Sequence, residues 1–185
     1  MSEAVATIEL APSLIRDPLV IEIVETGWQP WLDVFSVYHY LHGKGPMPFS
    51  TAFTGFDAAS GDPVAFMGMS GLTVGPTHYR AARACRMVVH QEWQGAGIGL
   101  RFLNLICERE AKGEGFIGAP VPTYMHTAHP ALCAGLRRDK HWQQISSRVI
   151  GDVVGGPKKS VAKGLRYGGH TRSVAGFRYG SLKTP

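Results

Sequence analysis

From Leu19 to Thr26 the chain reads LVIEIVET, apolar and acidic positions in alternation, which predicts a half-exposed strand. From Gln29 to Leu41 the period lengthens. Trp31, Val34, Phe35, Tyr38 and Leu41 fall at helical spacing, Pro30 sits where a first turn tolerates it, and HGKGPMP ends the segment. Phe49–Asp57 and Pro63–Ser70 flank AASGD, a turn composition, and predict a hairpin. A loop rich in Gly and Pro leads into a strand predicted at Ala82–His90. The pattern turns helical again from Ile98 to Lys112, where Leu100, Leu103 and Ile106 share a stripe with Cys107 beside them. Strands are predicted at Val121–Thr127, Gln143–Ile150 and Ser173–Tyr179, and a short helix at Pro130–Arg138 with proline near its start. The order is α/β in class, an α+β arrangement on a mixed sheet. It predicts one layered domain over 1–185, with a basic, loop-rich segment at about 151–172.

Composition narrows this picture. With 185 residues, 44% hydrophobic and 18% charged, the chain is long enough to bury a core and too apolar to be disordered. No apolar run approaches the roughly 20 residues that cross a bilayer. Glu3 and Glu9 stand where a signal peptide would be basic, so neither membrane nor export is expected. Cys85, Cys107 and Cys133 are odd in number and form no CxxC pair, which points to a reducing cytoplasm and away from disulfides or a zinc site. The charge is uneven. Residues 1–136 carry 8 Lys/Arg against 12 Asp/Glu, whereas residues 137–185 carry 11 against 2. A basic block of this kind binds phosphates by releasing counterions, or forms a solvated basic surface.

The stretch VVHQEWQGAGIG carries the chemistry. It joins a buried strand to an amphipathic helix through Gly95, Gly97 and Gly99. Bare backbone permits positive φ and close approach of a ligand, and the amides of the loop and of the helix's first turn converge with the positive end of the helix dipole behind them. That is a phosphate site, or else a tight turn with glycines for geometry alone. No Lys-Ser/Thr follows, as a P-loop requires, and the spacing is not GxGxxG. Gln94-Gly95-Ala96-Gly97-Ile98-Gly99 reads Q-x-x-G-x-G and resembles the acyl-CoA signature of the GNAT (GCN5-related N-acetyltransferase) superfamily. The resemblance implies the GNAT fold, a central, mostly antiparallel mixed sheet flanked by helices, and an acyltransferase using acetyl-CoA or another CoA thioester. It assigns the pantetheine arm to the backbone of Met87, Val88 and Val89, and the pyrophosphate to Gln94, Gly95, Ala96, Gly97, Ile98 and Gly99.

The sequence departs from that family in one place. Many members carry a tyrosine acid in a pattern like N-x-x-A-x-x-L-Y; the matching stretch here is HPALCAGLRRDKHW, with Arg137 at the tyrosine's position. Two clusters offer substitutes. VYHYLHGKGP holds Tyr38, His39, Tyr40 and His42, and YMHTAHP holds Tyr124, His126 and His129, with Tyr124 and His126 on one face of a strand. His serves as a base near neutral pH, and Tyr donates or positions. His39, His42, His126 and His129 form two His-x-x-His pairs, which also suit iron or zinc, although acid–base or structural roles are the expectation.

His39, Tyr40, Arg86 and Asp139 together resemble a dispersed set in the phage Mom DNA-modification proteins. Those GNAT-like proteins convert adenine N6 to a carbamoylmethyl derivative and so protect phage DNA from restriction. The resemblance implies double-stranded DNA as partner, a phage or bacterial host cytoplasm, and catalytic roles for His39, Tyr40, Arg86 and Asp139, beside which Tyr124 and His126 stand as catalytic candidates from their own cluster. Trp142, Tyr167, Phe177 and Tyr179 in the basic quarter are candidates to stack on bases, or to fill the core under the last strands, the reading preferred for Phe177.

Three readings stand: a transferase acting on a nucleic-acid base, an acetyltransferase for a small amine or a protein amino group, and a binding module without turnover. An amine acceptor calls for an acidic cleft, and a nucleic acid for a basic one.

Overall fold

The computed structural model describes residues 3–11, 19–39, 45–74, 79–150 and 172–180. They form one sheet of eight strands: β1 (Ala4–Leu10), β2 (Leu19–Glu25), β3 (Ser50–Asp57), β4 (Pro63–Val74), β5 (Tyr79–Val89), β6 (Thr123–Thr127), β7 (Trp142–Ile150) and β8 (Arg172–Tyr179). Two α-helices accompany them, α1 (Ile98–Lys112) and α2 (Pro130–Arg138). The strand order is β1-β2-β3-β4-β5-β6-β8-β7, and every neighbouring pair is antiparallel except β5 with β6. This is the mixed, mostly antiparallel sheet that the GNAT resemblance implies.

The alternation in β2 does what its period demands. Leu19, Ile21 and Ile23 are buried while Val20 and Glu22 are exposed. Each such aliphatic side chain contributes about 1.5–3 kcal/mol when fully buried. On α1, Ile98, Phe102, Leu103, Ile106 and Cys107 are buried along one side and cover one face of the sheet. Cys133 and Leu136 of α2 join the same core, together with Met67, Met69 and Phe177. The helix closes at Gly113, whose φ of 81° lets its amide reach the Glu110 carbonyl. His129 caps α2 by accepting the Leu132 amide at its Nδ1, 3.3 Å away, and Pro130 follows in the first turn.

A smaller core lies on the opposite face, where Trp31, Phe35, Ala52, Phe66 and Val88 pack together. Here the structure corrects the predicted helix over Gln29–Leu41. Trp31–Phe35 is a π-helical turn in which the Ser36 amide bonds the Trp31 carbonyl, and Ser36–Tyr38 is a 3₁₀ turn. The wide turn seats both Trp31 and Phe35 on Phe66, at ring separations of 5.5 and 5.7 Å. Strand β1, absent from the sequence reading, is tied to α1 by Arg101 and Arg109. Their Nη1 groups donate to the Glu9 and Val5 carbonyls, each at 3.1 Å. The predicted β3–β4 hairpin forms, and β4 and β5 run into the span predicted as a loop, pairing with each other as far as Val74↔Tyr79.

Three of the candidate stacking residues are enclosed. Trp142, Phe177 and Tyr179 belong to the core on the α1 side, and the Trp142 indole N–H donates to Asn104 Oδ1 at 2.7 Å. Packing with α1 takes the surfaces a base would need. Tyr40, His42 and the loop-rich basic segment, including Tyr167, lie outside the described residues.

Candidate functional site

The site begins with a bulge. Pairing steps from Gly68↔Arg86 to Met69↔Ala84, so Cys85 is left without an opposite residue. An extra residue bends its strand and increases the local twist. The parallel ladder between β5 and β6 comprises Ala82↔Thr123, Arg83↔Tyr124 and Ala84↔Met125, and it stops just before the bulge. Beyond it β5 follows β4 to Val89, and β6 follows β8 to Thr127. The two strands part, and one edge of β5 faces the opening.

Which backbone groups line that edge follows from one hydrogen bond. The His90 amide donates to the Val64 carbonyl at 2.8 Å, and antiparallel pairing alternates, so Val88 also directs its backbone groups to β4. Met87 and Val89 therefore direct theirs to the opening. Of the residues predicted to meet the pantetheine arm, Met87 has backbone groups to offer and Val89 its amide, its carbonyl accepting Gln94 Nε2, whereas Val88 contributes its buried side chain to the smaller core.

At the end of β5 the chain makes a 3₁₀ turn, Gln91–Trp93, and enters the glycine loop. Gln94 braces that loop: its Nε2 donates to the Val89 carbonyl at 3.0 Å, and its amide to the Gln91 carbonyl at 3.3 Å. Gly95 and Gly97 have φ of 83° and 77°, in the left-handed region, and a Cβ on either would meet no atom within 4 Å. Conformation, and not crowding, requires glycine there. Gly99 is different. A Cβ on it would lie 3.4 Å from Val89 Cγ2 and 3.5 Å from Met87 Cε, so the first turn of α1 rests closely on β5. Among the described residues no backbone carbonyl takes the amides of Gly95, Ala96 or Gly97. Those of Ile98 and Gly99 open a helix, where no preceding turn supplies an acceptor. The amides from Gly95 to Gly99 thus remain available to an anion at the positive end of α1.

On the face opposite α1, cross-strand pairing sets Arg83, Tyr124, Arg178 and Gln143 in a row across β5, β6, β8 and β7. The adjoining row is His126, Gly176 and Ser146. His126 rests on Gly176, where a Cβ would come within 3.0 Å of its Nε2. Burial, and then the charges of Arg83 and Arg148, hold the His126 pKa below its ordinary range. Across the opening, the Arg86 guanidinium carbon lies 5.8 Å from the centre of the Trp31 ring, and its Nη1 donates to the Cys85 carbonyl at 2.9 Å. His39 is half-buried, edge-on to Trp31 at 5.3 Å. Burial first, and the Arg86 charge second, lower its pKa to about 4, so it is neutral at pH 7.

Of the residues read from the sequence, His39, Arg86, Tyr124 and His126 therefore share one face of the sheet. Asp139 does not join them. It follows α2 on the other side, accepting Asn104 Nδ2 at 2.6 Å and the His141 amide at 2.9 Å, with the His141 ring at 3.0 Å. Burial alone would raise its pKa, but these hydrogen bonds and His141 hold it below the usual range. Arg137 is exposed and donates to Gln144 at 2.8 Å. His129 is a helix cap. Among the described residues no three His, Cys, Asp or Glu side chains gather as metal ligands.

Three residues that the sequence reading passed over complete the face. Trp28 lies over Gly68, so closely that a Cβ there would collide with its ring, and its indole N–H donates to Ser50 Oγ at 3.1 Å. Arg83 and Arg178 flank Tyr124. Nothing near either arginine in the sequence marks it; only the strand order brings them together.

The sequence matches no protein-family model and no curated protein. Solved structures do share its architecture. A candidate phosphinothricin N-acetyltransferase is similar with a TM-score of 0.59 at 11% identity, over 87% of this chain and 99% of that one. The ribosomal-protein-S5-alanine acetyltransferase of Vibrio fischeri gives 0.58 at 11% identity, over 96% and 100%. Arabidopsis thaliana NAA60 in complex with acetyl-CoA gives 0.51 at 13% identity, over 86% and 97%. The fold of this chain is the GNAT fold of those acetyltransferases.

Proposed function

We propose that this chain is an acyl-CoA-dependent transferase of GNAT type whose acceptor is a nucleic-acid base. The observation that carries the reading is the parting of β5 from β6 beside a helix start whose amides are unclaimed. These groups suit a CoA thioester, with the pantetheine arm along Met87 and Val89 and the pyrophosphate at Gly95–Gly99. The acetyl-CoA complex of NAA60, which has this fold, supports the same cofactor. Bound there, the thioester supplies an activated acyl carbonyl at the bulge.

The chain's own residues then have two tasks, alignment and proton handling. A bound thioester would offer its acyl carbon to the acceptor nitrogen, so that a C–N bond would form as the C–S bond broke and sulfur left with the electron pair. The nitrogen sheds one proton and the sulfur takes one. Neutral His39 is suited to accept the first, and Tyr124 to donate the second.

The charge of the face supports the nucleic-acid acceptor. Arg83, Arg86, Arg148 and Arg178 lie on it, and none of the ion pairs among the described residues involves an arginine. Such a face repels an ammonium group and attracts a polyanion, and the exocyclic amine of a base is itself uncharged. A base within a duplex has to be flipped out to reach the opening. Adenine N6, with protection of phage DNA against restriction, is the acceptor that the Mom resemblance implies. The second reading is acetylation of a small amine or a protein amino group, which the described activities of the similar structures favour.

Mass spectrometry of nucleosides from DNA co-expressed with the protein tests the acceptor. A modified deoxyadenosine is expected. Unmodified nucleosides, with acetyl transfer to a free amine, would overturn the base reading and leave the transferase standing.

A further inference from the structure

Arg178 lies on β8, the strand next to the β7 edge of the sheet, between β6 and β7, and is only 8% exposed. Its Nε and Nη1 are buried and have no hydrogen-bond partner, and the same holds for Nε of Arg83 and of Arg86. None of these side chains forms an ion pair among the described residues. A guanidinium does not discharge by losing its proton, so burial without a counter-ion is a standing cost to the folded protein. Two of the three stand on either side of Tyr124 in the cross-strand row, at the last pairs before β5 and β6 part. Arg148, opposite Val174, adds positive charge two cross-strand rows further along the same face, on β7.

We propose that Arg83 and Arg178 form a phosphate subsite, in which their guanidinium forks hold a phosphodiester of the acceptor strand on both sides of Tyr124. This rests on the nucleic-acid reading of the acceptor and adds to it the residues that grip the strand. The position suits the task. A nucleotide whose phosphate sits over Tyr124 has its base within reach of the opening where the thioester would lie, while the rest of the strand is free to follow the positive face towards Arg148. Guanidinium forks match the paired oxygens of a phosphate, so the subsite orients the strand as well as attracting it. A carboxylate has the same two-oxygen edge but cannot continue as a polymer along the arginine face. The buried, unpartnered nitrogens identify a place where stability is given up until the ligand arrives.

The test uses the full chain, a short single-stranded DNA oligonucleotide, inorganic phosphate, succinate and acetyl-CoA. Arg178→Met and Arg83→Gln should each weaken oligonucleotide binding about 10- to 100-fold and lower the log–log salt slope by about one, with acetyl-CoA binding by calorimetry unchanged. Arg178→Lys, which keeps the charge and loses the fork, should fall between. In thermal melts Arg178→Met should raise the midpoint of the free protein, because an uncompensated buried charge has been removed, and phosphate should stabilise the unmodified chain but not the variant. A purely structural arginine gives the opposite sign: Arg178→Met then melts lower, Arg178→Lys as well, and phosphate has no effect, which overturns the subsite. Unchanged oligonucleotide affinity in both variants, or succinate competing as well as phosphate, also overturns it. If acetyl-CoA binds and no oligonucleotide does, the subsite falls and the transferase stands. If the oligonucleotide binds through Arg178 and acetyl-CoA does not bind, the subsite stands and the transferase reading falls.

Discussion

His39 and Arg86 meet on one indole: the His39 ring lies 5.3 Å from the Trp31 ring centre, and the Arg86 guanidinium carbon 5.8 Å from it. Burial against Trp31 disfavours a charged imidazole, and the neighbouring guanidinium disfavours it further, which is why the His39 pKa falls from 6.5 to about 4. A lowered pKa means the unfolded chain binds the proton more readily. The stability this supplies is complete above pH 6.5 and is lost as pH falls through about 4. His39→Gln should therefore flatten the dependence of the melting midpoint on pH across that window. Equal slopes in both proteins would show that His39 is not held neutral by the fold.

Turnover should report the same group. His39→Ala is expected to lower kcat by about 10²-fold, the usual scale for a lost base, and Tyr124→Phe by a similar factor for a lost acid. In the unmodified protein the acid limb of the pH–rate profile should lie near 4 and not near 6.5. Arg137→Ala should leave kcat within about twofold, since that side chain is engaged with Gln144. A Tyr124→Phe loss alone, with His39→Ala silent, points to an ordinary amine acetyltransferase whose acid has moved.

Gly97→Val tests the cofactor loop. At φ 77° an L side chain is strained by about 1–2 kcal/mol, yet a Cβ there meets no atom, so the variant should fold. Calorimetry should then show acetyl-CoA binding in the unmodified protein and none in the variant. No heat from the unmodified protein at millimolar ligand would remove the cofactor assignment.

Gly68→Ala probes the wall behind Arg86. The added methyl would strike the Trp28 ring, which also holds Ser50, so the ring must shift and disturb Trp31 and Phe66. Denaturant unfolding should show a loss of about 1–3 kcal/mol, the cost of overpacking. An unchanged midpoint would mean that Trp28 moves freely.

Glu110 is fully buried on α1, and its two carboxylate oxygens accept the Phe116 and Ile117 amides at 2.7 and 3.3 Å. Burial raises its pKa, against the pull of those amides and Arg109. The sign is opposite to that of His39: its contribution is fully present below the ordinary Glu range and declines as pH rises through the raised value. Glu110→Gln should remove that slope. Glu110→Ala, which strands two amides, should cost about 1–3 kcal/mol at any pH.

Local pattern settled much of this molecule. The stripe of α1 and the glycines before it depend on residues a few positions apart, and Ile98–Lys112 forms as the period dictates. The loop's left-handed turns need glycine whatever lies around them, so the turn through Gln94–Gly99 was legible in the sequence. Strand β1 was less so. AVATIEL has a weak alternation, and the strand is secured by pairing with β2 and by two arginines of a distant helix. Over Gln29–Leu41 the spacing of aromatics was right and the helix type was not, because seating Trp31 and Phe35 on Phe66 belongs to tertiary packing and not to propensity. The grouping of residues on the face opposite α1 was beyond any reading of the chain in order. Arg83 and Arg178 become neighbours of Tyr124 only when β8 inserts between β6 and β7, and Asp139 is drawn away from His39 by Asn104 and His141. Short-range sterics and hydrogen bonding wrote the glycine loop into the sequence. Long-range strand order, decided by how the whole sheet buries its two faces, determined which charges surround Tyr124.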